Sequence, residues 1–130
     1  MNLAVDGNEQ TLFYDTYALY AITLGQPNYQ MYSKGYTILT TIMNLYELYY
    51  TLNNEGYSSL AEELFHRLLP ACVRINPEDI KNATHLRLAN KKKNWSYVDS
   101  LGYAIALKEN VSFLTGDKGF KDIAKVTYIK

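Results

Sequence analysis

A chain of 130 residues, 48% hydrophobic and 20% charged, has room for one ordinary globular domain, which excludes both a multidomain enzyme and a disordered polymer. Thirteen Lys and Arg balance thirteen Asp and Glu, which argues against a protein that grips nucleic acid by bulk charge. That zero hides a split, because residues 1–66 carry seven acids and only Lys34 as a base, whereas residues 67–130 carry twelve bases and six acids.

The first ten residues are polar, with Asp6-Gly7-Asn8 as a turn signal, and read as a lead-in to a domain over residues 11–130. Leu12-Phe13-Tyr14 is a short apolar strand that stops at Asp15, and Thr16 to Leu24 is helical until Gly25 and Pro27 end it. Asn28 to Ser33 is read as a second helical stretch. A long helix is expected from about Thr37 to Leu52, and another, capped by Ser58 or Ser59, carries Leu60, Leu64, Phe65 and Leu68 up to Pro70. Ala71 to Ile75 is apolar and β-branched and predicts a strand. Asn76-Pro77-Glu78-Asp79 starts a helix, with Asn as cap, Pro in the first position and acids in the first turn. Ser96-Tyr97-Val98-Asp99 fits a capping box for a helix running to about Lys108. Val111 to Leu114 and Val126 to Ile129 are further strands, with a turn at Gly116-Asp117-Lys118-Gly119 between them. Strands alternating with helices predict an α/β domain, three-layered, around a mainly parallel sheet of four to five strands.

Ligands in such sheets bind beyond the carboxyl ends of the strands, so the residues there carry the functional argument. Asp15, Glu47, Asp99 and Asp117 sit in apolar surroundings, unlike the other nine acids. Singly, each has a structural explanation as a helix cap, a capping-box acid, a turn residue or a solvated side chain. Together they form a pattern: Asp15 and Asp117 end strands, Asp99 opens the helix before the second of those strands, and Glu47 shares a helix face with Asn44. Carboxylates gathered in a partly apolar pocket repel one another. A hard divalent cation, Mg²⁺ or Mn²⁺, relieves that repulsion, whereas the absence of a Cys/His cluster leaves no case for structural zinc. Such an ion polarises phosphoryl oxygens, so the implied chemistry is phosphodiester hydrolysis.

These segments resemble the PIN-domain nucleases, and among them the small single-domain ribonucleases of the VapC toxin type. Leu12-Phe13-Tyr14-Asp15-Thr16 resembles the first motif of that family and Asn44-Leu45-Tyr46-Glu47-Leu48 the second. Ser96 to Leu107, with Asp99 opening an Ala-rich helix, and Phe113-Leu114-Thr115-Gly116-Asp117 resemble the last two. The resemblance spans about Leu12 to Lys130. It implies a metal-dependent endoribonuclease with Mg²⁺ or Mn²⁺ as cofactor, RNA as substrate, frequent homodimers and often a small antitoxin as partner. It makes Asp15, Glu47, Asp99 and Asp117 the metal-binding and catalytic carboxylates, supported by Thr115, Thr16 and Asn44. Tyr17 departs from the pattern, since many members have Asn there.

Lys91, Lys92 and Lys93, and Lys118 and Lys121 beside Asp117, admit two readings: contact with an RNA backbone, or a solvated helix end favourable to the dipole. His66 and His85 are isolated, and Cys72 in an apolar segment reads as packed and inert. No apolar run approaches the ~20 residues of a membrane helix, and the start lacks a signal-peptide layout, so a soluble, cytoplasmic protein is expected. Beside the toxin reading stand a PIN nuclease of RNA maturation and a non-catalytic interaction module with the same fold.

Overall fold

The computed structural model describes residues 10–130. The described chain runs β1 (Thr11–Tyr14), α1 (Thr16–Thr23), β2 (Thr37–Leu39), α2 (Ile42–Asn54), α3 (Ser58–Leu68), α4 (Pro77–Ala89), α5 (Tyr97–Lys108), β3 (Ser112–Thr115) and β4 (Val126–Tyr128). Short 3-10 turns occupy Pro27–Tyr32, Leu69–Ala71, Lys91–Lys93 and Lys118–Phe120. Apart from Gln10, the polar lead-in expected over residues 1–10 lies outside the described residues.

The four strands form one parallel sheet in the order β2-β1-β3-β4, with Phe13 opposite Leu39 on one side and Phe113 on the other. Successive side chains of a strand point to opposite faces. In β1, Phe13 and Tyr14 are both fully buried, and in β3 so are Phe113 and Leu114. Each pair divides between two cores. Tyr14 and Leu114 pack with Leu19, Leu45, Leu48, Leu52 and Leu64 from α1, α2 and α3. Phe13 and Phe113 pack with Ala83, Trp95, Leu101, Ile105 and Phe120 on the α4–α5 side. This is the expected three-layer α/β architecture, and the middle of each central strand is apolar, Leu12-Phe13-Tyr14 and Phe113-Leu114, because both faces are covered there. Gly102 lets α5 close on the sheet, since a Cβ there would lie 2.8 Å from Phe13 Cε1 and 3.1 Å from Phe113 Cε1.

Two expectations are corrected. The helix predicted from Thr37 is a strand followed by a helix. Thr37, Ile38 and Leu39 pair with Thr11, Leu12 and Phe13, and α2 starts at Ile42 with Thr41 as its cap. The β-branched Thr37 and Ile38 favour the ladder, but three residues are too few for a period of two to show. Conversely, the strand expected over Ala71 to Ile75 is an isolated bridge. Thr40 N–H donates to the Ala71 carbonyl and Val73 N–H to the Thr40 carbonyl, while Leu69–Ala71 turns as a 3-10 helix. Smaller differences follow: the stretch after Gln26 is a 3-10 turn, and Tyr57 rather than a serine precedes α3, with no side-chain cap. No helix among the described residues is long and apolar enough to cross a membrane.

Candidate active site

The chain leaves β1 toward the α1–α3 layer and leaves β3 toward Phe120 in the opposite layer, so the carboxyl ends of these neighbouring strands border a split in the connections. Asp15 stands at that split. It caps α1, its Oδ1 accepting from the Ala18 N–H at 2.9 Å, and its Oδ2 accepts from the Thr115 hydroxyl at 2.5 Å. The same hydroxyl oxygen accepts from the Asp117 N–H at 3.0 Å, so Thr115, fully buried at the end of β3, bridges the two aspartates. Asp117 caps the next turn through Oδ1, which accepts from Gly119 N–H at 2.9 Å. Asp99 is the acid of the predicted capping box: its Oδ2 accepts from Ser96 N–H at 3.0 Å, and its own N–H donates to the Ser96 hydroxyl at 3.0 Å. The cap positions that the sequence signals are therefore real, and they orient the three carboxylates rather than exclude them from a site.

Asp15, Asp99 and Asp117 line one cleft of about 400 Å³ together with Tyr17, Gly116, Lys118, Tyr128 and Lys130. Glu47 does not line it. Its Oε1 accepts from the Thr16 hydroxyl at 2.6 Å, and its charge acts on Asp99. Behind Glu47 runs a chain of hydrogen bonds with one polarity. The Thr41 hydroxyl donates to Asn44 Oδ1 at 2.6 Å, Asn44 Nδ2 donates to the Thr16 hydroxyl at 3.1 Å, and Thr16 donates to Glu47. Asn44 is buried, so this chain fixes the entry of α2 against α1.

Asp15 is only 3% exposed, and burial pushes its carboxyl from the ordinary 3.8 up to about 7. The hydrogen bonds from Thr115 and Ala18 oppose that rise, and the charges of Asp99 and Asp117 add to it. Burial also raises Asp99, opposed by Ser96 and reinforced by Asp117 and Glu47. These four acids thus lie close enough to repel, which is the condition a cation relieves.

The donor set fits a hard cation by chemistry. It is made entirely of oxygen, and neither Asp99 Oδ1 nor Asp117 Oδ2 takes a hydrogen bond among the described residues. No three acidic, His or Cys side chains among the described residues converge tightly enough to grip an ion unaided. The caps turn one oxygen of each aspartate toward backbone N–H groups, which leaves places for water and phosphate oxygens, as Mg²⁺ sites commonly have.

Lys118 reaches the cleft, whereas Lys91, Lys92, Lys93 and Lys121 do not line it. Tyr17, Tyr128, Lys130 and the deep hydroxyl of Thr41 were not singled out from the sequence as site residues. Tyr17 carried a signal, as the departure next to Asp15-Thr16. Tyr128 and Lys130 carried none, since only the parallel placement of β4 beside β3 brings them in. A larger groove of about 720 Å³ between α4 and α5, with Ile80, Leu88 and Trp95 in its walls, is mainly apolar and includes no acidic residue.

No curated protein matches the chain. Solved structures do match its fold. A toxin–antitoxin complex from Klebsiella pneumoniae aligns with a TM-score of 0.72 at 14% identity, over 89% of this chain and 95% of that one. VapC20 of Mycobacterium tuberculosis, a toxin that cleaves the sarcin–ricin loop, aligns at 0.74 and 18%, over 91% and 98%. VapBC2 of Rickettsia felis, bound to a DNA fragment from its promoter, aligns at 0.66 and 19%, over 92% and 97%. The PIN domain model matches residues 12–126, nearly the whole described chain and all four acids. With its motif carboxylates at the ends of a parallel sheet and that match across them, the chain belongs to the PIN-domain family.

Proposed function

We propose that this protein is a divalent-metal-dependent endoribonuclease of the VapC type, the toxin of a toxin–antitoxin pair. The observation that carries the reading is the meeting of Asp15, Asp99 and Asp117 in one cleft, with Glu47 acting on Asp99 from α2. A binding-only domain gains nothing from keeping mutually repelling carboxylates together. Asp15, Asp99 and Asp117 would hold Mg²⁺ or Mn²⁺, with Glu47 completing the site directly or through water. When bound, the cation offsets their charge and polarises a phosphoryl oxygen.

The protein's own groups position the rest. Thr115 holds Asp15 and the Asp117 backbone in one register, so the carboxylates need no reorganisation as substrate arrives. The polarised chain from Thr41 through Asn44 and Thr16 ends as a hydrogen-bond donor to Glu47 Oε1 and fixes where that carboxylate oxygen points. Lys118 and Lys130 at the cleft rim offer positive charge to a phosphodiester.

The toxin assignment draws on the fold shared with toxin–antitoxin proteins, which makes a small antitoxin the proposed partner; a homodimer is proposed from the family resemblance alone. The test is cleavage of a panel of structured RNAs with Mg²⁺ or Mn²⁺, with EDTA and Asp99→Asn as controls. Cleavage abolished by both controls is the expected outcome. Cleavage that survives both sinks the metal mechanism, and no cleavage of any RNA favours an interaction module.

A further inference from the structure

The loop carrying Asp117 has glycine at both ends, and close neighbours account for both. A Cβ on Gly116 would lie 2.2 Å from Tyr17 Cε1 and 2.6 Å from the Ile129 carbonyl oxygen. One on Gly119 would lie 2.9 Å from the Lys93 carbonyl oxygen. The loop is therefore clasped between the ring of Tyr17 on one side and the Lys91–Lys93 turn on the other.

Both flanks are rigid. Tyr17 is 40% exposed and lines the acidic cleft, yet its ring rests on Gly116 and leans on Tyr29 at 6.0 Å. Tyr29 is fully buried and donates its hydroxyl to the Ile129 carbonyl at 2.6 Å. On the other flank, α4 ends before the lysines, which form a separate turn closed by Asn94 in the left-handed region (φ 58°). Trp95, next in the chain, stacks on Phe120 at 4.4 Å and donates its indole N–H to the Gly119 carbonyl at 2.7 Å. Three consecutive exposed lysines repel one another, and among the described residues none of them, nor Lys118, is in an ion pair.

An exposed, immobilised aromatic face beside a phosphate-directed site suits a base without a pairing partner, and a row of lysines suits a phosphate chain. We propose that Tyr17 and the Lys91–Lys93 turn form a substrate track across the Asp117 loop, with one RNA base stacked on Tyr17 and the phosphates beyond it held by Lys118 and the lysine turn. The proposal rests on the nuclease reading for the cleft and adds the path of the strand and the residues that hold it.

The test measures binding in EDTA, where the RNA stays intact, using a short fluorescein-labelled single strand, a duplex of the same length, and a single strand containing 2-aminopurine. The single strand binds more tightly than the duplex, and 2-aminopurine is quenched on binding. Tyr17→Phe keeps the quench, whereas Tyr17→Leu loses it and binds about tenfold more weakly. Changing all three lysines of the turn to Gln lowers the slope of log affinity against log salt by about 2, at roughly 0.7 per phosphate contact on a single strand. Equal binding of duplex, identical behaviour of the Phe and Leu variants, or an unchanged salt slope overturns the proposal. Failure of the nuclease reading looks different: these variant effects persist in EDTA, but added Mn²⁺ produces no cleavage.

Discussion

Removing the charge of Asp15 separates the chemical role of this carboxylate from its structural one. The Asn of Asp15→Asn keeps an oxygen to accept from the Ala18 N–H, and its amide can donate to the Thr115 hydroxyl, so the cap and the bridge survive. What disappears is the cost of ionising a carboxyl that is 3% exposed. Because its folded-state value is raised from 3.8 to about 7, the folded state holds a proton that the unfolded state releases, and stability falls as pH rises through that window. A rise of that size corresponds to about 4 kcal/mol at pH 8, more than half of which accumulates between pH 5 and pH 8. Urea unfolding of both proteins in EDTA at the two pH values measures it. The variant is expected to exceed wild type in stability at pH 8, with the gap shrinking by more than half at pH 5. Added Mn²⁺ should then stabilise wild type more than the variant, which cleaves no RNA. A stability gap that is the same at both pH values would refute the claim that buried charge at Asp15 is what the cation offsets.

Other perturbations separate the remaining parts. Thr115→Val keeps the buried shape but removes the bridge between Asp15 and Asp117; it should cost about 1–3 kcal/mol in urea unfolding and shift the lower limb of the pH–rate profile upward, because the hydrogen bond that lowers Asp15 is gone. Thr16→Val breaks the chain ending on Glu47 and leaves the buried Asn44 amide without its acceptor; it should cost about 1–3 kcal/mol in urea unfolding and lower kcat at least tenfold, while Thr16→Ser keeps both, and an unchanged kcat in the Val variant counts against any part for Glu47. Gly102→Ala should destabilise by about 1–3 kcal/mol through overpacking against Phe13 and Phe113, read by thermal unfolding. Lys108→Met strips Asp79, 1% exposed, of its 2.8 Å ammonium partner and should cost on the order of 2 kcal/mol at pH 7. Burial raises Asp79, but Lys108 and the Asn76 N–H outweigh it and hold the carboxyl low, so this stabilisation is present above about pH 4 and is lost as the pH falls further.

The caps were legible because they are local. Asp15, Asn76 and Ser96 with Asp99 each bond within three residues along the chain, and the structure shows each at the start of the helix expected there. The central strands were legible too, because burial on both faces leaves an apolar run that position alone identifies. Strand β2 was not, since Thr37 to Leu39 is too short for periodicity and becomes a strand only by pairing with β1. The apolar run after Pro70 misled for the complementary reason: it forms a single bridge, Cys72 to Thr40 just past the end of β2, so its β-branched residues have no ladder to complete.

Chemistry was determined by the sequence and geometry by the fold. Which residues are acidic, and that four of them have apolar neighbours along the chain, is written in the sequence, but burial is not: of those four only Asp15 is buried, and Asp79, with polar neighbours, is buried as well. Which of them share a cleft was decided only when β1 and β3 paired, because contacts a hundred residues apart, such as Thr115 to Asp15, have no local signature. The same pairing set Glu47 behind Thr16 rather than in the cleft, and brought Tyr128 and Lys130 to its rim. It also reconciles the neutral total with the proposed nucleic-acid function. The fold gathers three acids into one cleft and leaves the Lys91–Lys93 turn exposed against the loop that carries Asp117, a separation of charge that a sum over the chain erases.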